Sequence, residues 1–196
     1  ERGFAVLKEL SGPTKLFKIN SNRKKILFIG DSITVGYGTW FPFKGEPGDA
    51  NDYKKEDGTL SYASLLANHY HADYQEQCSS GISLGVIAWK KRTWIMNELW
   101  TKYSYYDYDD QYDMNQFIPD LIIVNLGTND VCGLMDKGSD YGNGRGIYKE
   151  FTKGDFKEAA VSLIKQIRKY YKESKILFTY GMMGNCEDIN ESYPLK

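Results

Sequence analysis

"KKILFIGDSITVGYG", residues 24–38, decides the fold. Ile26 to Ile29 form a short apolar run set between lysines and a glycine, the pattern of a strand buried on both faces. Gly30, Asp31, Ser32 and Thr34 follow, leading into a helix start. The stretch therefore reads as strand, turn and helix in quick succession. Ser32 has two readings: an N-terminal cap, the usual role of serine before a helix, or a nucleophile held at the edge of a sheet.

The same alternation recurs along the chain. "LSYASLLANHYHA" predicts a helix over about 60–71, with Leu60, Ala63, Ala67 and Tyr70 on one stripe. "DYQEQCS" (73–79) is an alternating strand candidate, and 85–100 carries enough long apolar side chains for one or two helical segments. "PDLIIVNLGTND" (119–130) is the clearest strand, ending in a Gly-Thr-Asn-Asp turn. The segment from Phe156 to Tyr171 has helical spacing, and Thr152 with Asp155 offers a capping-box start. "KILFTYG" (175–181) closes the pattern as another buried strand. Strands alternating with helices argue for βαβ units, hence an α/β, three-layer doubly wound parallel sheet of the flavodoxin-like type. The pattern stops after the fourth strand, so the carboxyl-terminal strand and helix of such a domain are expected to be lacking.

Bulk properties narrow the function. With 196 residues the chain suits one domain. Its 25 Lys plus Arg against 26 Asp plus Glu give a net charge of −1, so no global field favours nucleic acid or an anionic membrane surface. Apolar runs fall far short of the roughly 20 residues that cross a bilayer. Cys78, Cys132 and Cys186 are too scattered for a disulfide framework or a zinc site. No metal and no cofactor is expected, and the first residue, Glu1, implies that any secretion signal has been removed.

In open α/β sheets ligands bind beyond the carboxyl ends of the strands, where strand order reverses. In a 2-1-3-4-5 sheet this brings Gly30-Asp31-Ser32, the turn around Cys78 to Gly81, and Gly127-Thr128-Asn129-Asp130 to one crevice. Singly, each is an ordinary cap or turn. Together they supply a hydroxyl at a helix start and donors for a developing oxyanion, the needs of acyl transfer.

"FIGDSIT" with Ser32, "SSG" with Gly81 and "LGTND" with Asn129 resemble the first three sequence blocks of the SGNH, or GDSL, hydrolases. "FIGDSITVGYG", "EDGTLSYASLLA" and "PDLIIVNLGTND" resemble the catalytic domain of carbohydrate esterase family two, the acetyl-xylan esterase type, over roughly residues 15–184. The resemblance implies Ser32 as nucleophile. It also implies an oxyanion hole of the Ser32 and Gly81 backbone N–H groups with the Asn129 side-chain amide. Asp31 and Asp130 are expected to stabilise their turns. By the same likeness residues 1–22 are a linker or edge segment left from an amino-terminal β-sandwich, and 23–196 form the hydrolase domain, incomplete at its carboxyl end.

The family's histidine base, in an Asp-x-x-His or Asp-x-His block, has no counterpart here. His69 and His71 lie on the helix leading away from the crevice, His71 roughly 16 Å along it from Leu60, and read as surface or packing residues. Two explanations stay open: the histidine lies on a further carboxyl-terminal segment, or catalysis has been lost. The expected partner is an acetylated oligo- or polysaccharide, met by a secreted esterase, with Trp40, Phe41 and Trp89 as candidate sugar-stacking rings beside Trp94 and Trp100. The alternatives are another GDSL ester hydrolase, such as a lipase or thioesterase, and an inactive carbohydrate-binding module. The Gly-rich stretch 136–146 reads as a mobile loop near the crevice.

Overall fold

A computed structural model describes residues 21–39, 56–85, 94–103, 111–130 and 152–179. The sheet is built from β1 (Lys25–Gly30), β2 (Asp73–Cys78), β3 (Leu121–Asn125) and β4 (Lys175–Thr179). All pairings are parallel and the order is β2-β1-β3-β4, which begins the doubly wound order expected. Between the strands run α1 (Ser32–Val35), α2 (Tyr62–His69), α3 (Met96–Leu99) and α4 (Lys153–Tyr170).

Alternation along β1 and β3 sends successive side chains to opposite faces, and each face carries its own core. Leu27, Ile29, Ile122 and Val124 meet Met96, Leu99 and Trp100 around α3 and Leu163 and Ile167 of α4. Ile26, Phe28 and Ile123 meet Ala63 and Ala67 of α2, whose small side chains let that helix lie close on the sheet. Burial of each large aliphatic side chain contributes roughly 1.5–3 kcal/mol, so the two central strands anchor both layers. The longest helix starts where its sequence directs. Thr152 Oγ1 accepts from Asp155 N at 3.2 Å, and Asp155 Oδ2 accepts from Thr152 N at 2.8 Å, the reciprocal pairing of a capping box.

Two expectations are corrected. The stripe on α2 holds for Ala63 and Ala67, but Leu60 is 46% and Tyr70 65% exposed. Leu60 belongs to a separate 3-10 turn, Gly58–Leu60, which ends before the helix starts and is not in phase with it. β4 is not buried on both faces: it is the outer strand of the described sheet, and Leu177 is 50% exposed. No helix among the described residues is long and apolar enough to cross a membrane.

Candidate active site

The first turn settles which residue caps α1. Asp31 is the N-cap, its Oδ1 accepting from Ile33 N at 3.0 Å. Ser32 is the first helical residue, half-buried, with its hydroxyl spared from capping. Among the described residues nothing hydrogen-bonds Ser32 Oγ, and the N–H of Ser32 donates to none of them.

The other two turns are bonded onto this one. Ser79 N donates to Gly30 O at 3.2 Å, fastening the end of β2 to the end of β1. Ile82 N then donates to Ser79 O at 3.1 Å, closing a β-turn with Gly81 at φ 76°. A third-position φ near +80° is the mark of a type II turn and explains glycine there. From the turn after β3, Asn129 Nδ2 donates to Ile82 O at 2.8 Å and reaches Asp31 Oδ2 at 3.5 Å. Asp130 Oδ2 and Oδ1 accept from Leu84 N at 2.9 Å and Gly85 N at 2.8 Å. The three turns that the topology delivers to one end of the sheet are therefore stitched together, with Ser32 at their edge. The Gly81 N–H donates to no described residue.

The floor of the site is rich in carboxyl groups. Asp31 is fully buried, and desolvation pushes its pKa up from 3.8 to about 6, against the lowering effect of the Ile33 bond and with a further push from the charge of Asp130. Burial also raises Glu76 and drives the Cys78 thiol well above its ordinary range, so Cys78 is no nucleophile at neutral pH. Tyr62 Oη shares a 3.1 Å hydrogen bond with Thr34 Oγ1 beneath α1, and burial raises its pKa. Among the described residues no group of three His, Cys, Asp or Glu side chains is arranged to hold a metal ion.

His69 and His71 are exposed at the carboxyl end of α2, as their sequence position implied. Trp100 cannot stack on a sugar: it is fully buried between the sheet and α4, with Nε1 donating to Gln166 Oε1 at 3.1 Å. Trp40, Phe41 and Trp89, and the Gly-rich stretch 136–146, lie outside the described residues. Sequence reasoning passed over Glu56, which accepts a hydrogen bond from Ser80 Oγ. It also passed over Asn97, whose Nδ2 ties Leu84 O, at 3.2 Å, to Ala159 O of α4, at 3.0 Å. The adjacency of Ser80 to Gly81 was the one signal available for the first of these.

The family model described as GDSL-like Lipase/Acylhydrolase matches residues 26–191. The chain belongs to that family. Among curated relatives it is 27% identical over 175 residues to an acetylxylan esterase / glucomannan deacetylase of Cellvibrio japonicus (strain Ueda107), covering 88% of this chain and 46% of that protein. It is 29% identical over 182 residues to the cellulase/esterase CelE of Acetivibrio thermocellus, covering 87% of this chain and 19% of that protein. The chain thus spans less than half the length of either. Among solved structures, a family two carbohydrate esterase from Clostridium thermocellum, in complex with cellohexaose, is 26% identical with a TM-score of 0.69, over 91% of this chain and 50% of that one. The resemblance to SGNH hydrolases, with family two carbohydrate esterases among the neighbours, is borne out, and so is the α/β fold.

Proposed function

We propose that this chain forms the nucleophile-bearing part of a serine esterase that removes acetyl groups from cell-wall carbohydrate, acetyl-xylan or a related polysaccharide. One observation carries the reading: Asn129 Nδ2 bonds Ile82 O and reaches Asp31, so the three turns meet beside a Ser32 hydroxyl that caps nothing. The acetylxylan esterase and family two carbohydrate esterase relatives support the substrate class.

In this reading Ser32 Oγ attacks the acetyl carbonyl carbon. The carbonyl oxygen takes up the electron pair, and the Ser32 N–H and the Gly81 N–H receive it, joined by the Asn129 amide proton that otherwise makes the long 3.5 Å contact with Asp31 Oδ2. Asn129 donates without carrying charge, and Ile82 O fixes its plane in advance, which is where such a site gains most. Collapse of the intermediate expels the sugar oxygen, which takes the proton that the general base removed from Ser32 Oγ, and leaves acetyl-Ser32 for water to hydrolyse. Serine needs a general base for the first step. His69 and His71 sit at the far end of α2, so we assign the base to a histidine on a segment beyond this sequence. Residues 1–22 are the connecting segment before the hydrolase domain in the same reading, and the polymeric substrate goes with secretion.

The test is acetate release from acetylated xylan and from a long-chain ester by the full-length protein. The native protein should release acetate, and Ser32→Ala should cut turnover by at least about a thousandfold with its melting temperature kept. Asn129→Ala should lower kcat roughly 100- to 1000-fold with a smaller change in KM. Turnover retained by Ser32→Ala rejects the nucleophile. Preference for the long-chain ester makes the protein a lipase-type relative, and sugar binding without turnover makes it a binding module.

A further inference from the structure

We propose that Glu56 is a positioning residue for the esterase site, holding the Gly81 N–H in register with Ser32 by gripping the side chain of Ser80; this rests on the esterase reading above. Glu56 Oε1 accepts from Ser80 Oγ in a close, charge-assisted hydrogen bond, of the kind roughly twice as strong as a neutral one. Ser80 is buried and stands at the corner of the turn, immediately before Gly81. In a type II turn the peptide unit between the two corner residues can flip, which would turn the Gly81 N–H away from the crevice. A bond to the Ser80 side chain resists that flip.

The other end of the grip is tied to the nucleophile's own helix. Glu56 forms an antiparallel bridge with Tyr37, and Asp57 N donates to Gly36 O at 3.2 Å. Gly36, the C-cap of α1 at φ 86°, lies so close that an added Cβ would stand 2.2 Å from Asp57 O. Residues 56–57 are thus packed onto α1, and Glu56 reaches from there to the turn bearing Gly81. Asn129 and Ser79 fasten this turn from the sheet side, as described above. Glu56 fastens it from the α1 side, so that the two backbone donors meant for one oxygen are linked through Gly36 and Tyr37, residues 56–57 and the Ser80 side chain. Transition-state donors must be placed to within a fraction of an ångström, and a misplacement of about 1 Å costs on the order of 100-fold.

The experiment compares Glu56→Ala, Glu56→Gln, Ser80→Ala and the Glu56→Ala/Ser80→Ala double variant in the full-length protein, with kcat and KM measured on a short acetyl ester. Glu56→Ala and Ser80→Ala should each lower kcat roughly 10- to 100-fold while KM stays within about threefold. Glu56→Gln keeps an acceptor oxygen and should recover most of the loss. The double variant should be no worse than the poorer single one, because both remove the same bond. Native kcat in Ser80→Ala, a loss confined to KM, or losses that multiply in the double variant would overturn the assignment. If Glu56→Ala fails to fold, Ser80→Ala and Glu56→Gln carry the same test. Ser32→Ala separates the two claims: if it is inactive while Ser80→Ala keeps native kcat, only the role of Glu56 fails; if it is active, the esterase reading itself fails.

Discussion

Replacing Asp31 with asparagine should stabilise the fold at neutral pH and leave it unchanged in acid. The Asp31 carboxyl is fully buried, and its pKa is pushed from 3.8 to about 6, chiefly because burial penalises the charged form. Between those values the folded protein holds a proton that the unfolded chain has released. Stability therefore falls as pH rises through this window, and above about 6 the full cost of the buried charge is present. A gap of about two pH units corresponds to about 3 kcal/mol. Asparagine caps helices about as well as aspartate, and its oxygen can keep the bond from Ile33 N. Its amide would face Asn129 Nδ2 in place of the 3.5 Å carboxylate contact, which offsets part of the gain. The expected net effect is roughly 1–3 kcal/mol in favour of Asp31→Asn at pH 7.5, or several degrees in melting temperature, shrinking to nothing near pH 4. Urea unfolding of both proteins across that range measures it. Glu76 is also raised by burial and tilts both curves alike, so the difference between the curves isolates Asp31. A difference that does not change with pH, or a variant less stable than the native protein at pH 7.5, would refute the reasoning.

Asp130→Asn should cost roughly 2–3 kcal/mol in urea unfolding, because the carboxylate accepts from both Leu84 N and Gly85 N and a carboxamide can accept only one while pointing its own protons at the other. An unchanged midpoint would mean that those bonds do not hold the turn. Gly36→Ala should destabilise by at least about 2 kcal/mol, through the positive φ and the collision with Asp57 O. In the esterase reading proposed above it should also lower kcat of the full-length protein, since the displaced segment carries Glu56; full stability together with native turnover would count against the packing described for α1.

What the sequence made legible was local. β1 and β3 stand out because a parallel strand covered on both faces must be continuously apolar, and "KILFI" and "LIIV" are. α4 stands out because Thr152 and Asp155 bond to each other three residues apart, a signal carried entirely within one turn. The rest depended on contacts between distant segments. Asp31 and Ser32 are both good caps in adjacent positions, and only the backbone decides that Asp31 takes the cap. "KILFT" resembles "KILFI" in composition, yet β4 is outermost among the described strands while β1 is central, because an apolar run does not encode its neighbours. The partnership of Asp130 with Leu84 and Gly85 spans more than forty residues, and that of Glu56 with Ser80 spans 24. No local pattern announces either.

The division of labour between sheet and turns explains why the site could be located from sequence while its support could not. Strand order sets which turns arrive at the same edge, and the observed β2-β1-β3-β4 order is one of the few that a doubly wound sheet adopts. It does not set their spacing to the tenths of an ångström that acyl transfer requires. Spacing comes from side chains of one turn bonding the backbone of another: Asn129 to Ile82 O, and Asp130 to Leu84 N and Gly85 N. Each bond falls on a main-chain group that a turn leaves without a ladder partner, so the polar groups that would otherwise be buried unpaired become the attachment points of the site. A substitution at Asn129 or Asp130 should thus affect geometry and stability together, whereas one at Ser32, whose hydroxyl bonds none of the described residues, should affect chemistry alone.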